Sequence, residues 1–158
     1  MDQQISAPER VRAALKTAGI AARIEEFATS TRTAQEAADS IGVHVGQIVK
    51  SLLFLAGRVP VLALVSGTNR VDLARLESLT GAAIRKADAN AVRDPTGFAI
   101  GGVPPTGLSR AIRTFIDRDL LQYDVVWAAA GTPRHVFPVG PQDLVRITAG
   151  AIVDLKLA

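Results

Sequence analysis

The sequence predicts an α+β fold, a single compact domain with a mixed, curved β-sheet and helices packed on its outside. Strand-like and helix-like segments alternate without the regular strand–helix period of a doubly wound sheet. The two strongest apolar runs, residues 47–55 and 59–65, flank Gly57-Arg58 and read as an antiparallel hairpin in the core. The chain has 158 residues, 48% of them hydrophobic, enough for one self-sufficient core.

The elements follow in order. Ser6 and Glu9 have capping-box spacing, Pro8 sits in the first turn, and Val11, Ala14, Leu15 and Ala18 form a helical stripe that Gly19 stops. An extended piece is expected at 23–27. Thr33 caps a second helix with Glu36 three residues on and Gly42 at its end. After the hairpin, Asp72 caps a third helix, with Leu73, Leu76 and Leu79 inward and Gly81 as its stop. A short helix at 88–93 is halted by Pro95, and a Gly/Pro-rich loop spans 97–107. Strands are expected at 111–116, 124–130 and 135–139. Pro141 opens the last helix, and 153–155 reads as a closing strand.

Composition excludes several classes of function. Without cysteine there is no disulfide, no thiolate nucleophile and no Cys-based zinc site. His44 and His135 lie far apart, so no metal is expected. No apolar run approaches a membrane span, and the N-terminal residues lack the charge and apolar pattern of a signal peptide. The expected home is the cytoplasm. There is neither a P-loop nor a dinucleotide-type glycine turn, and Ser51, Ser66 and Ser109 lack a nucleophile-elbow context. No cofactor is expected. The net charge of +3 fits an ordinary soluble surface and also contact with a phosphate backbone.

Two features carry chemistry. Lys50 lies inside an apolar strand, on the face of Ile48, Leu52 and Phe54, with Val49, Ser51, Leu53 and Leu55 on the other. It either snorkels to the sheet edge or meets an anionic partner such as a phosphate or a carboxylate. The loop Gly101-Gly102-Val103-Pro104-Pro105-Thr106-Gly107 combines conformational freedom with proline stiffness. It is either a tight connection or a frame that aims backbone N–H groups at an oxygen. His44 reads as a surface residue, and His135, at the start of a strand, as structural, exposed or facing a cavity. Asp143 serves the last helix's dipole.

Taken in order, Thr33-Ala34-Gln35-Glu36-Ala37-Ala38, Ile41-Gly42-Val43, Gln47-Ile48-Val49-Lys50-Ser51-Leu52, Gly102-Val103-Pro104-Pro105-Thr106-Gly107, Ala130-Gly131 and Asp143-Leu144 resemble the YbaK-like aminoacyl-tRNA deacylases. That family includes the inserted editing domain of bacterial prolyl-tRNA synthetases. The likeness covers about residues 8–155 of a domain taken as 1–158. It implies a trans-editing hydrolase for the ester of mischarged tRNA, foremost tRNA(Pro) carrying Cys, Ala or Ser. The alternative is an inactive module of the same fold that holds a tRNA acceptor end or a synthetase. By the same resemblance Lys50 holds the terminal phosphate region, and Gly102, Pro105 and Gly107 shape the loop that receives the acyl carbonyl. Gly101, Val103, Pro104, Thr106, His135 and Val45 are the expected substrate-binding residues. The implied partners are tRNA and, transiently, prolyl-tRNA synthetase, with no membrane.

Overall fold

The computed structural model describes residues 5–21, 23–29 and 31–158; the first four residues of the expected domain lie outside these. The elements run α1 (Ala7–Thr17), β1 (Glu25–Glu26), α2 (Ala34–Ile41), a 3-10 turn (Val45–Gln47), β2 (Val49–Ala56), β3 (Val59–Ser66), α3 (Leu73–Thr80), β4 (Ile84–Lys86) and α4 (Ala89–Thr96). There follow β5 (Arg113–Asp117), a second 3-10 turn (Arg118–Gln122), β6 (Val126–Ala129), β7 (His135–Val139), α5 (Pro141–Thr148) and β8 (Ala151–Val153).

The expected hairpin is the centre of the molecule. β2 and β3 pair antiparallel from Val49 opposite Ser66 to Ala56 opposite Val59. Only Gly57 and Arg58 remain for the turn. Gly57 takes φ 63° and Arg58 keeps a negative φ, the type II′ pattern whose twist matches that of the flanking strands. β4 extends the sheet antiparallel to β2, while β5 and then β8 extend it in parallel beyond β3, giving the order β4-β2-β3-β5-β8. A second sheet, β1-β7-β6, meets the first through a parallel bridge between Ile48 and Trp127. The mixed sheet expected from the sequence is thus present in two joined parts.

Strand alternation explains why helices cover both faces of the larger sheet. Val49, Leu53, Leu62 and Leu64 point to one core, shared with Val11 and Leu15 of α1, Phe98, Phe137 and Leu144 of α5. Phe54, Ala56, Val61, Ala63 and Val65 point to the other, with Leu76 of α3 and Leu155. A third cluster packs Ala37 and Ala38 of α2 against Ile48, Trp127 and Val136. The helix starts behave as read. Ser6, Thr33, Asp72 and Asp88 each accept a backbone N–H three residues on.

Some boundaries differ. α4 continues through Pro95 to Thr96. Proline removes one backbone bond there, but only in the last turn. Buried Thr96 bonds its hydroxyl to the Val92 carbonyl at 2.6 Å, and Gly97 closes the helix at φ 80°. The closing strand is Ala151–Val153, not 153–155, because Leu155 leaves the sheet to fill the core under α3. The strands expected at 111–116 and 124–130 form over Arg113–Asp117 and Val126–Ala129, and the piece at 23–27 pairs only at Glu25–Glu26. β4 carried no sequence signal, being a three-residue edge strand.

Candidate functional site

Lys50 stands near the start of β2, opposite Val65 and on the face of Leu52 and Phe54. Its ammonium donates to the backbone carbonyl of Asn69. Burial pushes its pKa below the usual 10.5, Asp117 opposes that shift, and Arg70 adds to it. The lysine is half-buried and aimed at a turn, rather than extended into solvent.

That turn, residues 66–70, is held by a buried acid. Asp117, at the end of β5, is 1% exposed. It accepts from Ser66 N at 3.0 Å, Asn69 Nδ2 at 2.8 Å and Asp119 N at 3.0 Å. Asn69 Nδ2 also reaches Asp119 at 2.8 Å, and the Ser66 hydroxyl donates to the Gly46 carbonyl at 2.7 Å. A chain of bonds therefore runs from β5 through Asn69 to the Lys50 ammonium. Buried polar groups satisfied in this way fix a geometry, because any displacement leaves one unpaired.

β2 has an open edge beside Lys50. β4 pairs with it only from Phe54 to Ala56, and the Ile48–Trp127 bridge covers the other end. Ala87 N donates to the Leu53 carbonyl and Gly57 N to the Ala83 carbonyl, so the odd-numbered residues of β2 turn their amides to that edge. Ser51 does the same. Its hydroxyl is buried with no hydrogen-bond partner among the described residues.

Two cavities flank this edge. The larger, about 750 Å³, reaches from the start of α2 across Lys50 to β6 and β7. The smaller, about 300 Å³, lies toward α3 and α4. They share Lys50, Ser51, Leu52, Lys86, Ile100 and Val103. Arg32 lines the larger and Arg70 the smaller, and no carboxylate lines either. Among the described residues none of these four cations forms a salt bridge. Cations that form no salt bridge around a concave surface attract anions.

Val45, Lys50, Gly101, Val103 and His135 all line the larger cavity. Gly102, Pro104 and Pro105 are buried behind its wall. A Cβ at Gly102 would lie 2.6–2.7 Å from the backbone of Gly131 and Thr132, so close backbone approach requires the glycine. Thr106 is half-buried, and Gly107, with φ 79°, faces Ala14 and Arg10 of α1. Pro105, Thr106 and Gly107 line neither cavity.

His135 is clamped at the cavity rim. Thr132 Oγ1 lies 2.5 Å from Nδ1 and Glu26 3.0 Å from Nε2. A carboxylate only accepts, so the Nε2–H donates to Glu26, while the Thr132 hydroxyl, which also accepts from Arg134 N, holds Nδ1. His44, exposed as expected, accepts from Gly46 N and caps the turn at Val45–Gln47. Asp143 stands in the first turn of α5 and pairs with Arg146.

The larger cavity also contains residues that drew no attention in the sequence: Arg32, Gly67, Lys86 and Trp127. Asp117 and Asn69 were equally silent, although an aspartate closing the apolar run Thr114-Phe115-Ile116 was a usable signal.

Fold and site define an α+β domain with two cation-lined cavities along an open strand edge. The chain matches the aminoacyl-tRNA editing domain over residues 28–147 and belongs to that family, the one its motif order resembles. It is 32% identical to the uncharacterized Bacillus subtilis protein YwhH over 122 residues, 77% of this chain and 78% of that one. It is 26% identical to EbsC of Enterococcus faecalis, a proposed Cys-tRNA(Pro)/Cys-tRNA(Cys) deacylase, over 82% of each chain. A crystal structure described as a proposed trans-editing enzyme for prolyl tRNA synthetase superposes with a TM-score of 0.93 at 45% identity, covering 99% of this chain and 100% of that one. Among the described residues, no helix is long and apolar enough to cross a membrane.

Proposed function

We propose that the protein is a trans-editing aminoacyl-tRNA deacylase that hydrolyses the ester of mischarged tRNA, foremost tRNA(Pro) carrying Cys, Ala or Ser. The observation that carries this reading is Lys50. It is an ammonium fixed on a sheet, on the shared wall of two carboxylate-free cavities, one of which also holds Gly101, Val103, Val45 and His135. In this reading Lys50 grips the terminal phosphodiester and so fixes the position of the aminoacyl ester. The amino acid enters the larger cavity between Val45 and His135. The backbone N–H groups of Gly101 and Val103, the two loop residues on the cavity wall, stabilise the developing oxyanion, with Gly102 and Pro105 setting the loop's path. The ester is already activated, so no protein nucleophile is required. Water attacks the acyl carbon, either directly or after transfer to a hydroxyl or thiol of the substrate itself. The bond to the ribose oxygen breaks, that oxygen takes a proton, and amino acid and free tRNA leave. The setting is the cytoplasm, and prolyl-tRNA synthetase is a transient partner.

The test is a panel of Cys-, Ala- and Ser-tRNA(Pro) with correctly charged Pro-tRNA(Pro) as control. At least one mischarged species is expected to be deacylated, and Lys50→Ala to lower kcat/KM by about 100-fold or more. Salt-dependent tRNA binding without turnover would replace the enzyme by a binding module.

A further inference from the structure

The larger cavity and Lys50 account for an amino acid, its ester and one phosphodiester. They leave the smaller cavity unassigned, together with Arg70 and Lys86. We infer that the smaller cavity is a second nucleotide site, which receives the penultimate nucleotide of the acceptor end. Its phosphodiester lies on Arg70 and Lys86, and its base against Val71, Leu73 and Ile100. This rests on the deacylase reading and adds to it a minimum length of RNA.

Three observations carry the inference. The first is charge. A phosphodiester carries one negative charge, yet Lys50, Arg70 and Lys86 line this cavity without a carboxylate among them and without a salt bridge among the described residues. Arg70 is close enough to lower the pKa of Lys50, a cost that a second bound anion would relieve. The second is surface. Leu73 and Ile100 are 45% and 52% exposed, although each lines the cavity. The flat face of a base packs on aliphatic walls of this kind, with its phosphate at the cationic rim. The third is continuity. Both cavities open along the same edge of β2 and share Lys50, Ser51 and Leu52. A ligand gripped at Lys50 therefore extends naturally into both.

The experiment compares three substrates carrying the same mischarged amino acid: the 3′-aminoacyl adenosine 5′-phosphate, which keeps the phosphate for Lys50, the 3′-aminoacyl dinucleotide pCpA, and full-length tRNA. With wild-type protein, adding the cytidine phosphate is expected to raise kcat/KM by about tenfold. Arg70→Ala and Leu73→Asp, both at exposed positions, should each bring the dinucleotide-to-mononucleotide ratio toward one. Melting temperatures confirm that both variants fold. A wild-type ratio near one overturns the inference and leaves the deacylase reading standing. So does a ratio that survives in both variants, or hydrolysis of tRNA without hydrolysis of the dinucleotide ester. Failure on all three substrates removes the deacylase reading, and the inference falls with it.

Discussion

The loop at 101–107 and the turn at 66–70 border the same two cavities, but they are held by different forces. The loop is shaped sterically. Gly102 presses on the backbone of Gly131 and Thr132, Gly107 lies against α1, and Pro104 and Pro105 are buried between them. The turn has no such stiffness and is held electrostatically, by the Asp117 carboxylate bonded to Ser66, Asn69 and Asp119. It is the second element, not the first, that touches the Lys50 ammonium. Residue types that look functional can therefore be scaffolding for a wall, while an inconspicuous polar turn sets the position of the charged group.

The sharpest way to break this comparison is to remove the acid. Asp117→Ala strands the Ser66 and Asn69 donors in a buried site. It is expected to destabilise the protein by about 3 kcal/mol in urea unfolding and to reduce deacylation by misplacing Lys50. Gly102→Ala tests the steric side. The added methyl meets backbone rather than flexible side chain, so a loss of roughly 1–3 kcal/mol is expected. If it instead proves neutral, the loop is softer than its contacts imply.

The smallest effect concerns Lys50 itself. Its folded-state pKa lies below 10.5, so at neutral pH the folded protein carries the protonated amine at a cost that the unfolded chain does not bear. The cost disappears as pH rises from the folded value to 10.5. Lys50→Met should therefore stabilise the protein at pH 7, and the gain should shrink as pH approaches 10.5. Urea unfolding of both proteins at several pH values measures this. A destabilised variant at pH 7 would mean that the bond to Asn69 outweighs burial.

Much of the fold was legible. The hairpin follows from two apolar runs around Gly57-Arg58, and three helix starts from the caps Ser6, Thr33 and Asp72, because capping and turn chemistry act within a few residues. β4 was not legible, since a three-residue edge strand exists only through its partner. Nor was the end of α4, where Pro95 looks like a stop but sits in a last turn closed by Thr96 and Gly97. Of the site, Lys50 stood out because a lysine in an apolar strand must be explained by a partner. Arg70, Lys86 and Arg32 did not, because exposed cations look alike until a cavity gathers them.

The sequence by itself determined the elements that depend on near neighbours: the caps, the hairpin register and the face of β2 on which Lys50 stands. Only the tertiary structure decided that Asp117, fifty-one residues from Ser66, would bond to that turn and anchor Asn69 beneath the Lys50 ammonium. It alone left the β2 edge open at Ser51, between β4 and β6. Local patterns encode backbone conformation, whereas burial, pairing and a cavity lining free of carboxylates are properties of groups that meet only when the chain is folded.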